Sequence, residues 1–133
     1  MQIETYQIGR GVDLEKDNLT RVYSAAYRMF GRIRELMCEL PAHEFGKDGS
    51  IAAIYEALNS VLNTTLRPHL TEWPERYEDW RKNFGKTTKG KKLSPQEMQQ
   101  MFPERPAIQR DLKDVARRLK ADAKKLRSLI LKA

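Results

Sequence analysis

Two histidines, one cysteine and a scatter of carboxylates are the side chains from which chemistry could be built in this 133-residue chain. His69 follows Pro68 on a strongly apolar stretch and has Glu72 three positions on. On a helix that spacing puts imidazole and carboxylate on one face, a pair able to share a metal ion. Metal sites in helical bundles draw on several more inward carboxylates or histidines, and the acids here fall mostly on outer positions. No metal is therefore assigned, and His69 reads as a core or interface histidine with its ring nitrogens satisfied. His43 stands beside Glu44 in a loop. Cys38 is the only cysteine, which excludes an internal disulfide and a cysteine-cluster zinc site. Its place on an apolar helical stretch makes it a small buried hydrophobe rather than a nucleophile.

No phosphate-cradling glycine loop, nucleophile elbow or His-Glu-x-x-His is present, and Gly9-Arg10-Gly11 lacks the rest of any dinucleotide fingerprint. HEPN nucleases carry an arginine followed by a histidine at a fixed short spacing. Here Arg34 precedes His43 by nine positions and Arg67 precedes His69 by two, and neither fits. The sequence assigns no catalytic residue and no cofactor; it reads as a non-enzyme.

Charge is more informative. The net charge is +7, and it is unevenly spread. Residues 1–80 hold nine Lys/Arg against thirteen Asp/Glu, a net of −4, whereas residues 81–133 hold sixteen against five, a net of +11. Such an asymmetry points to an anionic partner for the C-terminal part, unless the two halves neutralise each other on folding. Two cationic groups stand out. Arg81, Lys82, Lys86, Lys89, Lys91 and Lys92 surround a glycine-containing segment without an acid, a basic loop over 82–93 expected to be mobile until a partner orders it. Arg110, Lys113, Arg117, Lys120, Lys124 and Arg127 alternate by three and four, which lines them up as an acid-free ridge on one helix face. At 1.5 Å per residue the ridge is on the order of 25 Å long. Beside the loop, Trp73, Tyr77 and Trp80 follow one another at helical spacing; as a stripe they belong to the core, and as an exposed platform they would bind a partner or stack bases.

The elements that must position these residues are helices. With seven glycines and six prolines in the whole chain, there is little material for the turns of an all-β fold. A 40% apolar and 32% charged composition suits amphipathic helices with solvated outer faces. Residues 1–12 read as an N-terminal arm. Asp13 offers an N-cap to a helix over about 14–40, which Pro41 ends. Ser50 offers the next cap, opening the stretch around which the chain is organised: Ile51, Ile54, Tyr55, Leu58, Val61, Leu62, Thr65, His69, Trp73, Tyr77 and Trp80 keep one stripe in phase. Pro68 predicts a kink inside that helix, and Trp73-Pro74 a second place where it could break and restart. Ser94-Pro95-Gln96-Glu97 reads as a capping box with proline at the first helical position, opening a short helix. The last helix, about 105–132, carries Ile108, Leu112, Val115, Leu119, Ala123, Leu126 and Ile130 near a seven-residue repeat. The expected fold is all-α: a single domain over 1–133, an antiparallel bundle of three long helices plus a short fourth.

The segment Leu62-Asn63-Thr64-Thr65-Leu66-Arg67-Pro68-His69-Leu70-Thr71-Glu72-Trp73 resembles a Leu-Arg-Pro-aromatic-Leu-x-x-Trp segment of small uncharacterised bacterial helical proteins, with Tyr23 to Met37 matching their preceding helix. The resemblance implies a helical bundle and a place in bacterial conflict or defence loci. It assigns no catalytic residue, and His69 stands where an aromatic is usual, which favours packing as its role. The expectation that results is a non-catalytic basic subunit that binds the DNA or RNA backbone within a larger complex. The competing expectation is an adaptor or assembly subunit, possible as an oligomer, whose basic face meets an acidic protein. No apolar run is long enough to cross a bilayer and the N-terminus is not a signal peptide, so a membrane partner is not expected and the location reads as cytoplasmic.

Overall fold

The computed structural model describes residues 6–41 and 49–132, and these are helical without a strand among them. In chain order they form α1 (Gln7–Arg10), α2 (Leu19–Glu39) and α3 (Ser50–Ser60). A π-helical turn (Val61–Leu66) leads directly into α4 (Arg67–Gly85). A 3-10 turn (Gly90–Lys92), α5 (Pro95–Met101) and α6 (Arg105–Lys132) complete the chain. His43, Glu44, the Gly46 turn and the first five residues of the arm lie outside the described residues. Among the described residues no helix is long and apolar enough to cross a membrane.

α6 is the element the others share, packing against α1, α3, the π turn, α4 and α5. Its repeat of apolar positions is why: Ile108, Leu112 and Leu119 are fully enclosed, together with Leu19, Met29 and Ile33 of α2 and Leu66 of the π turn. Each such side chain contributes roughly 1.5–3 kcal/mol of transfer free energy on burial. The described part of the arm expected before α2 holds a single helical turn, α1, pinned by Ile8 at 1% exposure.

Several boundaries differ from expectation, each for a local reason. α2 starts at Leu19 rather than near residue 14, because Asn18 supplies the cap, its side chain accepting from the Thr20 and Arg21 amides. Asp13 instead accepts from the Glu15 amide and holds a turn. The cap of α3 is Gly49 at φ +80, with Ser50 already helical. The expected kink at Pro68 takes the form of the π turn: the Arg67 amide reaches back five residues to the Leu62 carbonyl, and Pro68, which has no amide, follows directly. Pro74 does not break the helix. Its missing amide leaves the Leu70 carbonyl free of a helical donor, and the Tyr27 hydroxyl reaches that oxygen at 3.4 Å. Leu70, Trp73 and Tyr77 on either side of the proline are all buried in one stripe, which holds the run together.

The capping box is present in full: the Glu97 amide donates to Ser94 Oγ at 3.1 Å and the Ser94 amide to Glu97 Oε1 at 3.0 Å. It sets α5 so that Gln99, 2% exposed, points at the connection before α2. Gln99 Nε2 donates to the Leu14 and Asp17 carbonyls at 2.9 and 2.7 Å, while its Oε1 accepts from the Leu19 amide at 2.7 Å. One side chain thus satisfies the first amide of α2, which helix geometry leaves without a partner, and two carbonyls of the connection before it. Replacing Gln99 with Ala should lower unfolding stability by about 3 kcal/mol, the cost of stranding buried polar groups, as read by urea denaturation; a loss under about 1 kcal/mol would mean that water reaches those groups.

Candidate nucleic-acid interface

The basic ridge begins from the period of α6. With the apolar repeat turned inward, Arg110, Lys113, Arg117, Lys120, Lys124 and Arg127 emerge together on a solvent-exposed flank. Two of the three acids of α6 are on other faces. Asp111 Oδ2 lies 2.6 Å from His69 Nδ1, and Asp122 Oδ2 accepts from Thr65 Oγ1 at 2.8 Å. Burial pushes the Asp122 carboxyl up, against the Thr65 hydrogen bond and the charges of Lys125 and Arg118. Asp114 is the exception to an acid-free ridge, bonding Arg117 at 2.6 Å and Arg118 at 3.0 Å. The Arg117 hydrogen bond holds the Asp114 carboxyl below its ordinary range. Arg110, Lys113, Lys120 and Lys124 have no ion pair among the described residues.

One stretch of the ridge is also the wall of a groove. Arg10, Gly11, Val12 and Asp13 line its other side, opposite Lys113, Ala116, Arg117 and Lys120, around about 560 Å³. Arg10 carries no such signal in the sequence: Gly9-Arg10-Gly11 lacks the rest of a nucleotide fingerprint, and nothing local says that α1 will lie along α6.

The second cationic group is not the loose loop expected over 82–93. α4 runs on to Gly85, and the Thr87 hydroxyl donates to the Phe84 carbonyl at 2.6 Å and accepts from the Gly90 amide at 3.0 Å. Gly90 is buried, and a Cβ there would sit 2.0 Å from the Phe84 carbonyl oxygen, so only glycine closes this turn. Lys82, Lys86, Lys89, Lys91 and Lys92 are exposed on it. Arg81 is half-buried and bonded to Glu78, which holds its guanidinium above the ordinary range.

The aromatic group is core. Trp73 and Tyr77 are buried at 5% and 2% exposure, both edge-on to Phe102, and burial pushes the Tyr77 phenol up to about 12. The reading of Trp73 and Tyr77 as partner-binding residues is corrected on that ground, since neither offers a free ring face. Trp80 is half-buried between Phe84, stacked at 5.0 Å, and Phe102 at 5.2 Å, so its rings too are engaged within the fold. Cys38 is likewise corrected: it is exposed, because the inward stripe of α2 passes through Ile33 and leaves Cys38 on another face.

His69 is 1% exposed and satisfied on both nitrogens. Tyr23 Oη lies 2.8 Å from Nε2, opposite the Asp111 contact at Nδ1. A carboxylate only accepts, so Nδ1 carries the proton and Nε2 accepts from the Tyr23 hydroxyl. Burial pushes the imidazole below its ordinary value, against the hydrogen bond and charge of Asp111 and the charge of Glu72, and burial raises the Tyr23 phenol well above its own. With so little exposure, the ring offers a substrate no approach. Glu72 turns away to Arg76 at 3.5 Å, which separates the His-x-x-Glu pair. Among the described residues no three His, Cys, Asp or Glu side chains come together as a metal site.

No family model, curated protein or solved structure matches the chain.

A folded imidazole that holds its proton more weakly than the unfolded one destabilises the fold in acid. Between its folded value and about 6.5 the unfolded chain binds the proton and the native state does not. Stability from this group is complete above about pH 6.5 and falls as pH drops through that value, by no more than about 1.4 kcal/mol per pH unit. Calorimetry between pH 7.5 and 5.5 should show the melting temperature falling, with His69→Gln flattening the dependence; identical profiles for the two proteins would mean that the ring binds its proton alike in the folded and unfolded chain.

Proposed function

We propose that the protein is a non-catalytic helical subunit that binds the backbone of nucleic acid through the exposed flank of α6, with the lysines around Gly90 as a second contact. One observation carries this reading. Asp111 and Asp122 are bonded to His69 and Thr65 of the neighbouring elements and Asp114 to Arg117 and Arg118, which leaves Arg110, Lys113, Lys120 and Lys124 exposed without an ion pair among the described residues. A row of unpaired cations on a rigid helix is favourable where phosphates replace their counterions. Such contacts position a duplex without reading its bases, so binding should be nearly sequence-independent. The working arrangement we infer is an antiparallel bundle of α2, the α3–α4 rod and α6, with α5 as a short fourth helix. The Leu62–Trp73 resemblance is the support for a place in a larger bacterial complex of the defence type.

A second reading, an adaptor that docks on another protein, is favoured by a different surface. Leu36, Leu40, Ile54, Leu58, Leu126 and Ile130 line an apolar groove of about 840 Å³, with Leu131 87% exposed at its edge. Exposed apolar ground of this kind marks protein contacts more than nucleic-acid ones.

With about six phosphate contacts, the log–log dependence of duplex affinity on salt should have a slope near about −5. Replacing Lys113, Arg117, Lys120 and Lys124 together with Glu should abolish that binding while the melting temperature is held. Retention of binding by this variant, or no binding of DNA or RNA by the wild-type chain at low salt, sinks the first reading; loss of a copurifying protein with nucleic-acid binding intact supports the second.

A further inference from the structure

We propose that the groove between Arg10–Asp13 and α6 seats the phosphodiester backbone of a single strand of the bound nucleic acid, with Arg10 closing on it from the side opposite Lys113, Arg117 and Lys120. The proposal rests on α6 being a nucleic-acid-binding face; it adds where on that face a strand lies and which residue off the helix grips it.

Arg10 is held for this role. Its Nη2 donates to Gln7 Oε1 at 2.9 Å, and Gln7 Nε2 in turn donates to the Gly11 carbonyl at 2.5 Å and to Asp17 Oδ2 at 3.3 Å. Gly11 adopts φ +115, a conformation that suits glycine, and so turns the chain out of α1 and along α6. Anchored through one N–H, the guanidinium keeps its other donors for phosphate oxygens. Four cations line the groove against one acid, Asp13, whose Oδ1 accepts from the Glu15 amide at 2.9 Å. Arg117 is shared with Asp114, an exposed bridge that a phosphate can outcompete. Lys113 to Lys120 spans roughly 10 Å along the axis, room for about two neighbouring phosphates of one strand. Val12 and Ala116 are the remaining side chains of the lining and can make no hydrogen bond, so the groove recognises charge rather than base identity.

The test uses the full chain with Arg10→Ala, and with Lys125→Ala as an exposed cation outside groove and ridge. Affinity for a short mixed-sequence duplex is followed by fluorescence anisotropy across a salt series. Arg10→Ala should make the log–log slope shallower by about 0.9, the loss of one phosphate contact, at an unchanged melting temperature, whereas Lys125→Ala should leave the slope near wild type. If Arg10→Ala binds with the wild-type slope while charge reversal on α6 abolishes binding, the groove is not the seat and the α6 reading stands alone. If Lys125→Ala flattens the slope as much as Arg10→Ala, diffuse charge explains the binding and the groove assignment fails. If the wild-type chain binds no duplex or single strand at low salt, both fall together.

Discussion

An imidazole sealed inside the protein, with a phenol on one nitrogen and a carboxylate on the other, ties α2, α4 and α6 to one another. Apolar packing gives these helices a reason to associate but little reason to choose one rotation over its neighbours. A buried polar chain is more demanding, because each displaced partner strands a group that water cannot reach. Gln99 acts in the same way where α5 meets the entry to α2. Hydrogen bonds from His69 to Asp111 and from Thr65 to Asp122 fix the rotation of α6 about its own axis, and that rotation decides which flank faces solvent.

The partition of charge follows from the same constraint. Acids of α6 that face α4 and the π turn meet neutral hydrogen-bonding partners, and the cations are left to the outer flank. The expectation that the acidic first eighty residues neutralise the basic remainder is met in the described residues only by the local Glu78–Arg81 pair, since the exposed Arg76–Glu104 pair, at 3.3 Å, sets a cation of the first half on an acid of the second. Apart from Arg76–Glu104, the described salt bridges lie within one helix or join His69 to Asp111.

Much of the helical content was legible because it rests on local rules. The period of α6, the capping box at Ser94 and the phase of the stripe across Pro68 are written in spacings of three and four. The failures share a different cause. Asp13 and Asn18 are both local cap candidates for α2, and the distant contacts at the two disputed places, Gln99 on the Leu19 amide and Tyr27 on the Leu70 carbonyl before Pro74, are revealed by no local pattern. Cys38 has apolar neighbours in sequence but lies at an angle around the axis of α2 that faces solvent. Of the candidate interface, the ridge could be read from its spacing. Arg10 could not, since its meeting with α6 is a contact between residues about a hundred positions apart.

Gly90 has a consequence for how the lysines around it meet a partner. The Phe84 carbonyl occupies the space any larger residue would need, and the Thr87 hydroxyl ties the turn from both sides. The backbone carrying Lys86, Lys89, Lys91 and Lys92 is therefore shaped before any ligand arrives. Association has only side-chain rotamers left to freeze, a smaller entropic penalty than ordering a whole segment. On the proposed reading these charges would act as a preorganised cluster, whose contribution to affinity would be set by where the turn already holds them.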